Sequence, residues 1–240
     1  MKLNRKYQYV SGSSTTEHGA RTYDIHGYKL PSVTTILAKT KDQSYLTRWK
    51  EKVGNEEAER IKNYSSKRGT AMHKFLEKHI TGVGYEDLTA IGQEARPMAQ
   101  KIIDVGLTPV SEYYGSEVTL YYPGLFAGST DLVCLYNDLP TIIDFKQANR
   151  PKRKEWIEDY YLQIAAYALA HDYGYGSEIQ QGLILVCTPD LYLQEFRFQG
   201  IEMRDWKHKF LKRLDMYFEL QHDEKEQAKV GKINFEQDRI

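Results

Sequence analysis

At Val110 the apolar residues change their period, and this change constrains the fold more than any other feature. Upstream they recur at helical spacing; downstream they gather in short runs bounded by turn residues. Three strands are predicted in a meander, over 117–122, 126–136 and 141–146, joined at Pro123-Gly124 and Asn137-Asp138. A long helix over 156–173 follows, then strands over 182–187 and 191–198 and a helix from Met203 to Leu220. The charged stretch after Gln221 is expected to fray. Before Val110, residues 7–30 read as short strands and turns punctuated by Gly12, Gly19 and Gly27. Helices are predicted over 33–38, with Ser32 as N-cap, and over 45–53, 56–64, 66–80 and 90–105. Pro97 is either tolerated early in the last of these or marks its true start. The expectation is one α/β domain over 1–240: a mainly helical region (1–108), an α/β core with helices around a central sheet (109–222), and a charged tail (223–240).

A chain of 240 residues can bury a sizeable core, and 41% hydrophobic with 28% charged residues is an ordinary globular composition. Bilayer-spanning runs are absent, so no membrane association is expected. The N-terminus is polar and lacks the apolar stretch of a secretory signal. A cytoplasmic location, in a bacterium or a phage-infected host, is therefore expected before a mitochondrial one. Cys134 and Cys187 sit inside apolar runs and read as buried thiols; two cysteines cannot ligate an iron–sulfur cluster. With 33 basic and 33 acidic residues, affinity for nucleic acid must come from a local patch.

The chemistry concentrates between Gly128 and Lys146. In Ile142-Ile143-Asp144-Phe145-Lys146, strand geometry puts Asp144 and Lys146 on one face and Phe145 on the other. Gly128-Ser129-Thr130-Asp131 lies one hairpin earlier, so Asp131 can bring a second carboxylate alongside. Carboxylates converging in an interior sheet repel unless a cation is present, which points to a divalent metal with Lys146 beside it. Glu117, in the preceding strand, can add a third carboxylate. His73 sits one helical turn from Glu77 at the margin of an apolar face and can serve as an accessory ligand, favouring manganese slightly. Gln163 and Tyr167, four apart, border the apolar stripe of the following helix and can support the site. Arg150-Pro151-Lys152-Arg153-Lys154 is expected at the mouth of the site, with Trp156, Tyr160 and Tyr161 as stacking surfaces.

The ordered set His73, Gly128-x-x-Asp131, Asp144-x-Lys146, Gln163-x-x-x-Tyr167 resembles the RecB-like branch of the PD-(D/E)XK nuclease superfamily. Three further segments resemble the mitochondrial genome maintenance exonuclease group and its phage relatives: Pro31-Ser32-Val33-Thr34-Thr35-Ile36-Leu37, Leu46-x-Arg48-Trp49-Lys50 and Arg68-Gly69-Thr70-x-x-His73. Together the segments span roughly Pro31 to Tyr167. The resemblance implies a restriction-endonuclease-like core and Mg²⁺- or Mn²⁺-dependent hydrolysis of DNA, from single-stranded ends, in replication, repair or recombination. It implies Asp131, Asp144 and the Phe145 carbonyl as metal ligands, His73 and Glu117 as accessory ligands, and Lys146 as the group that orients or activates water. Gln163 and Tyr167 would support the site, and Arg68, Arg150, Lys152, Arg153, Lys154 and Tyr160 would contact DNA. A helicase or single-strand-binding protein is an expected partner. The proline of the superfamily's name is Thr130 here, and the cysteines of its iron–sulfur relatives are absent. A structure-specific or double-strand endonuclease, or a non-catalytic DNA-binding accessory protein, remains open at this level.

Overall fold

A computed structural model of the chain describes residues 3–42 and 44–237, without the side chains of 45, 46, 225 and 227–237. A small antiparallel sheet comes first, built from β1 (Ser13–Glu17), β2 (Ala20–Ile25) and β3 (Tyr28–Pro31). Its two tight turns, His18-Gly19 and His26-Gly27, have positive φ at both residues, the mirror-image turn that matches strand twist. Tyr23, Ile25 and Leu30 from this sheet pack on Ala127 of the larger one.

Ser32 then caps α1 (Val33–Thr40), its Oγ accepting from Thr35 N–H at 3.0 Å, as predicted. After α2 (Ser44–Val53) comes α3 (Asn55–Thr81), one continuous helix where two were expected. Its stops are Gly54 and Gly82, both with positive φ; the serines at 65 and 66 do not interrupt it. α4 (Ala90–Lys101) carries Pro97 in its interior, and a wide π-type turn, Ile102–Gly106, takes up the rest of the predicted helix.

The main sheet has the order β4 (Val110–Tyr122), β5 (Phe126–Tyr136), β6 (Leu139–Gln147), β7 (Gln181–Cys187), β8 (Leu193–Gln199). Every pairing is antiparallel except β6–β7, which α5 (Glu158–Tyr175) connects as a crossover. β4 begins at Val110 rather than 117, because register shifts near Glu112 and Tyr114 break the alternation that marks a strand. The N-terminal segment runs beside β4, bridging at Leu3–Tyr113 and Val10–Thr119. α6 (Ile201–Gln237) continues well past Gln221, so the expected frayed tail is helical as far as Gln237; residues 238–240 lie outside the described ones.

Helices cover both faces of the sheet, so its inner strands are buried along their length. Ile143, Phe145 and Leu185 pack under Met72, Phe75 and Met98 of α3 and α4. On the opposite face Ile142, Ile184 and Val186 pack with Ile36, Ile164 and Phe210 of α1, α5 and α6. Truncating a fully buried member such as Phe145 to alanine should cost about 3–5 kcal/mol. Cys134 and Cys187 are both free and buried. Among the described residues no helix is long and apolar enough to cross a membrane.

Candidate active site

β5 and β6 are paired from Tyr136↔Leu139 as far as Leu132↔Ile143, and beyond that rung no further pairing is made. Asp131 fills the fork. Its Oδ2 accepts from the Phe145 N–H at 2.6 Å, giving a buried donor the partner that the ladder no longer supplies. Asp144 and Lys146 share one face of β6, as the alternation predicted. Lys146 Nζ donates to Asp144 Oδ1 at 2.8 Å and to Gln163 Oε1 at 3.2 Å, and lies 4.9 Å from the Tyr160 ring centroid. Gln163 Nε2 donates onward to the Tyr167 hydroxyl at 3.2 Å. The Tyr167 ring rests on Gly128, where an added Cβ would stand 2.6 Å from its Cε1 and force the ring or the strand to shift. Gly128, Tyr167, Gln163, Lys146 and Asp144 form one supported train.

α3 delivers His73 to the other side of the fork. Its Nε2 donates to the Phe145 carbonyl at 2.9 Å, which leaves Nδ1 3.5 Å from both Glu117 Oε1 and Asp131 Oδ1. The Phe145 carbonyl, expected as a metal ligand, accepts this bond and keeps a second lone pair. Glu117 sits opposite Asp131, between the rungs Ser116↔Leu132 and Val118↔Thr130. Its φ of 52° is rare for a side-chain-bearing residue, and pairing on both sides holds it there. Ser129 Oγ also donates to Glu117 Oε2 at 3.4 Å.

One ligand atom each from His73, Glu117 and Asp131 lie within 4.8 Å of one another. Magnesium–oxygen bonds of about 2.1 Å span about 4.2 Å across the ion, so a small closure would seat one. Asp144 stands outside that trio, turned to Lys146, yet its Oδ2 is buried without a hydrogen bond, 2.6 Å from Nζ in poor donor geometry. One imidazole with carboxylates is a donor set that suits Mg²⁺ or Mn²⁺, and the residues fit such an ion.

The charges of the fork compensate one another. Burial pulls the His73 imidazolium down, but the Asp131 and Glu117 carboxylates outweigh it and lift the group to about 10. Burial likewise favours neutral Asp131, and the His73 and Lys146 charges reverse this, holding its carboxyl below the usual range. Asp144 rises to about 6, driven by burial and by Asp131 against the pull of Lys146. Lys146 is pushed down by burial and more strongly up by Asp144 and Asp131, so it stays a cation.

The fork opens into a cavity of about 1150 Å³. Its floor is Phe145, Lys146, Tyr160 and Gln163, and its walls are α3 (His73, Glu77) and α1 (Thr34, Leu37). Lys41 and Lys74 also line it; no local pattern singles out Lys41, and Lys74 is marked only by following His73. Of the six expected DNA contacts Tyr160 lines the cavity and the other five lie elsewhere. Arg68 is 3% exposed, its guanidinium held by Gln147 Oε1 (2.6 and 3.0 Å), Glu94 Oε1 (2.6 Å) and Asn149. It clamps α3 and α4 to the end of β6 and presents nothing to a ligand. Arg150, Lys152, Arg153 and Lys154 do not line the cavity either, because the loop carrying them turns toward β8.

No protein-family profile matches the chain. Over 207 residues it is 30% identical to the mitochondrial genome maintenance exonuclease 1 of Homo sapiens, a match covering 79% of this chain and 58% of that protein. The chain therefore spans less than two thirds of that relative's length. Among solved structures, a candidate exonuclease from Eubacterium rectale overlays with a TM-score of 0.49 at 13% identity, covering 67% of this chain and 68% of that one. An alkaline exonuclease from Laribacter hongkongensis gives 0.33 at 17% identity, covering 67% and 85%. Both structural likenesses are distant. In the order in which His73, Asp131, Asp144-x-Lys146 and Gln163-x-x-x-Tyr167 follow one another the chain resembles the PD-(D/E)XK nuclease superfamily, and over 79% of its length it is similar to the human mitochondrial genome maintenance exonuclease 1.

Proposed function

We propose that the chain is a divalent-metal-dependent DNA exonuclease that hydrolyses phosphodiester bonds from single-stranded ends. The observation that carries this reading is the convergence of His73, Glu117 and Asp131 within 4.8 Å beside the Asp144–Lys146 pair. His73 Nδ1, Glu117 and Asp131, with Asp144 alongside, would hold Mg²⁺ or Mn²⁺. When bound, such an ion polarises a phosphoryl oxygen and makes a water nucleophilic near neutral pH.

The remaining work falls to the chain's own groups. Lys146, a fixed cation braced by Gln163 and Tyr160, stabilises negative charge as it grows on the phosphate. A raised pKa makes it a poor base, so its role is electrostatic and orienting. Lys74, on the cavity wall, would meet a neighbouring phosphate, with Lys41 beside it in a 2.6 Å ion pair with Asp159. α1 and α3 both line the cavity above Phe145 and Lys146. A non-catalytic accessory protein would not need to keep the Asp131, Asp144 and Lys146 set.

The test uses end-labelled linear and circular single-stranded DNA with Mg²⁺. Degradation of the linear form with the circle spared is expected; nicking of the circle would make the protein an endonuclease. A linear duplex in the same series reads the strand preference, and 5′ and 3′ labels read the polarity.

A further inference from the structure

The loop between β6 and α5 is fixed through its backbone while most of its side chains stand idle. Gln194 of β8 grips Lys152 by both backbone groups: Oε1 accepts from its N–H at 2.6 Å and Nε2 donates to its carbonyl at 3.0 Å. At one end of the loop the Ala148 N–H donates to the Cys187 carbonyl at 3.1 Å, and at the other the Trp156 N–H donates to the Arg153 carbonyl at 3.0 Å. Yet among the described residues the charged ends of Arg150 and Lys152 have no hydrogen-bond or ion-pair partner. Among the described residues Arg153 meets only the Trp156 ring, 5.1 Å from its centroid, and Lys154 pairs with Glu202 at 3.3 Å. Trp156 is 62% exposed, and its indole N–H has no acceptor among the described residues.

An exposed indole beside unpaired cations, on a loop already rigid, is pre-organised for a ligand. Glu155 and Glu158 are close by, so the local excess of positive charge is small. What distinguishes the patch is an aromatic face next to guanidinium groups, which a base and its phosphate match and an acidic peptide does not. No residue from 150 to 156 lines the cavity, whereas Asp159 and Tyr160, in the next helical turn, do.

We propose that this loop is a second contact for single-stranded DNA, outside the cavity: a base stacks on Trp156 while Arg150, Lys152 and Arg153 meet flanking phosphates. It rests on the nuclease reading only in that a strand in the cavity continues past the first turn of α5 to reach the loop.

The experiment measures binding of the full chain to oligothymidylates of about 8 and about 30 nucleotides, in EDTA so that no cleavage intervenes. Trp156→Ala is expected to weaken binding of the longer strand about five- to tenfold and to leave the shorter one unchanged, with Trp156→Phe restoring most of the loss. Arg150→Ala with Arg153→Ala should flatten the salt dependence for the longer strand by about 1.4 in log–log slope. Equal effects on both lengths, no effect at all, stronger binding of duplex, or displacement by polyglutamate as readily as by DNA would each overturn the proposal. Normal binding by the loop variants of an active nuclease condemns the loop alone. A chain that binds through the loop but cleaves nothing condemns the nuclease reading alone.

Discussion

Lys146 is held from three directions, and Gly128 makes that possible from a distance. Gly128→Ala drives a Cβ into the Tyr167 ring and should cost about 1–3 kcal/mol of stability. Through Tyr167 and Gln163 it should also lower cleavage at least tenfold, measured at a temperature where the variant is folded. His73 makes a different prediction. Its pKa of about 10 leaves it protonated at pH 7, whereas a metal needs the free Nδ1. Binding of Mn²⁺ at pH 7 should therefore release about one proton, with affinity rising as pH rises, as calorimetry in buffers of different ionisation enthalpy can show. Proton-independent binding would remove His73 from the ligand set. The same shift stabilises the metal-free fold fully below pH 6.5, and this contribution fades as pH rises through about 10. Glu117 separates charge from backbone strain: Glu117→Gly and Glu117→Ala lose the carboxylate alike, but Gly should be about 1 kcal/mol more stable by chemical denaturation, because only Ala keeps the positive-φ penalty.

Two of the contacts that tie α3 to β6 set their relative direction. Arg68 meets Gln147, and His73 meets Phe145. Five helical residues rise about 7.5 Å, and two strand residues advance about 6.6 Å, so the two contacts match when helix and strand run antiparallel. Arg68→Lys keeps the charge but not the planar fork, and should lower kcat or metal affinity about 10- to 100-fold while the protein stays folded. Melting temperature and Mn²⁺ titration read together separate this positioning role from a loss of fold. Arg68 also shows where sequence reading stops. An arginine in a helical Arg-Gly-Thr looks exposed and ready for phosphate, and only the packing of α4 and the β6 end buries it. Asp131, Asp144, Lys146, Gln163 and Tyr167 were legible because strand alternation and helical spacing are local rules. The left-handed Glu117, the register shifts in β4 and the course of the basic loop depend on tertiary pairing, which no local pattern records.

Across the molecule, two helical layers cover the sheet from opposite faces, and the carboxylates of the fork are balanced by His73 and Lys146. The fold should therefore survive chelation, and a metal that binds the native state should stabilise it by about 2.7 kcal/mol at 100 times its dissociation constant. Thermal melting with and without Mn²⁺ reads this, and Asp131→Asn should lose the gain. That this fork cleaves DNA is tested by turnover of end-labelled single-stranded DNA in Mg²⁺ by the parent, Asp144→Asn and Lys146→Ala. Catalysis by the fork requires cleavage by the parent that EDTA abolishes, and none above background by either variant. Cleavage by both variants at the parent's rate, or by any of the three in EDTA, would contradict it.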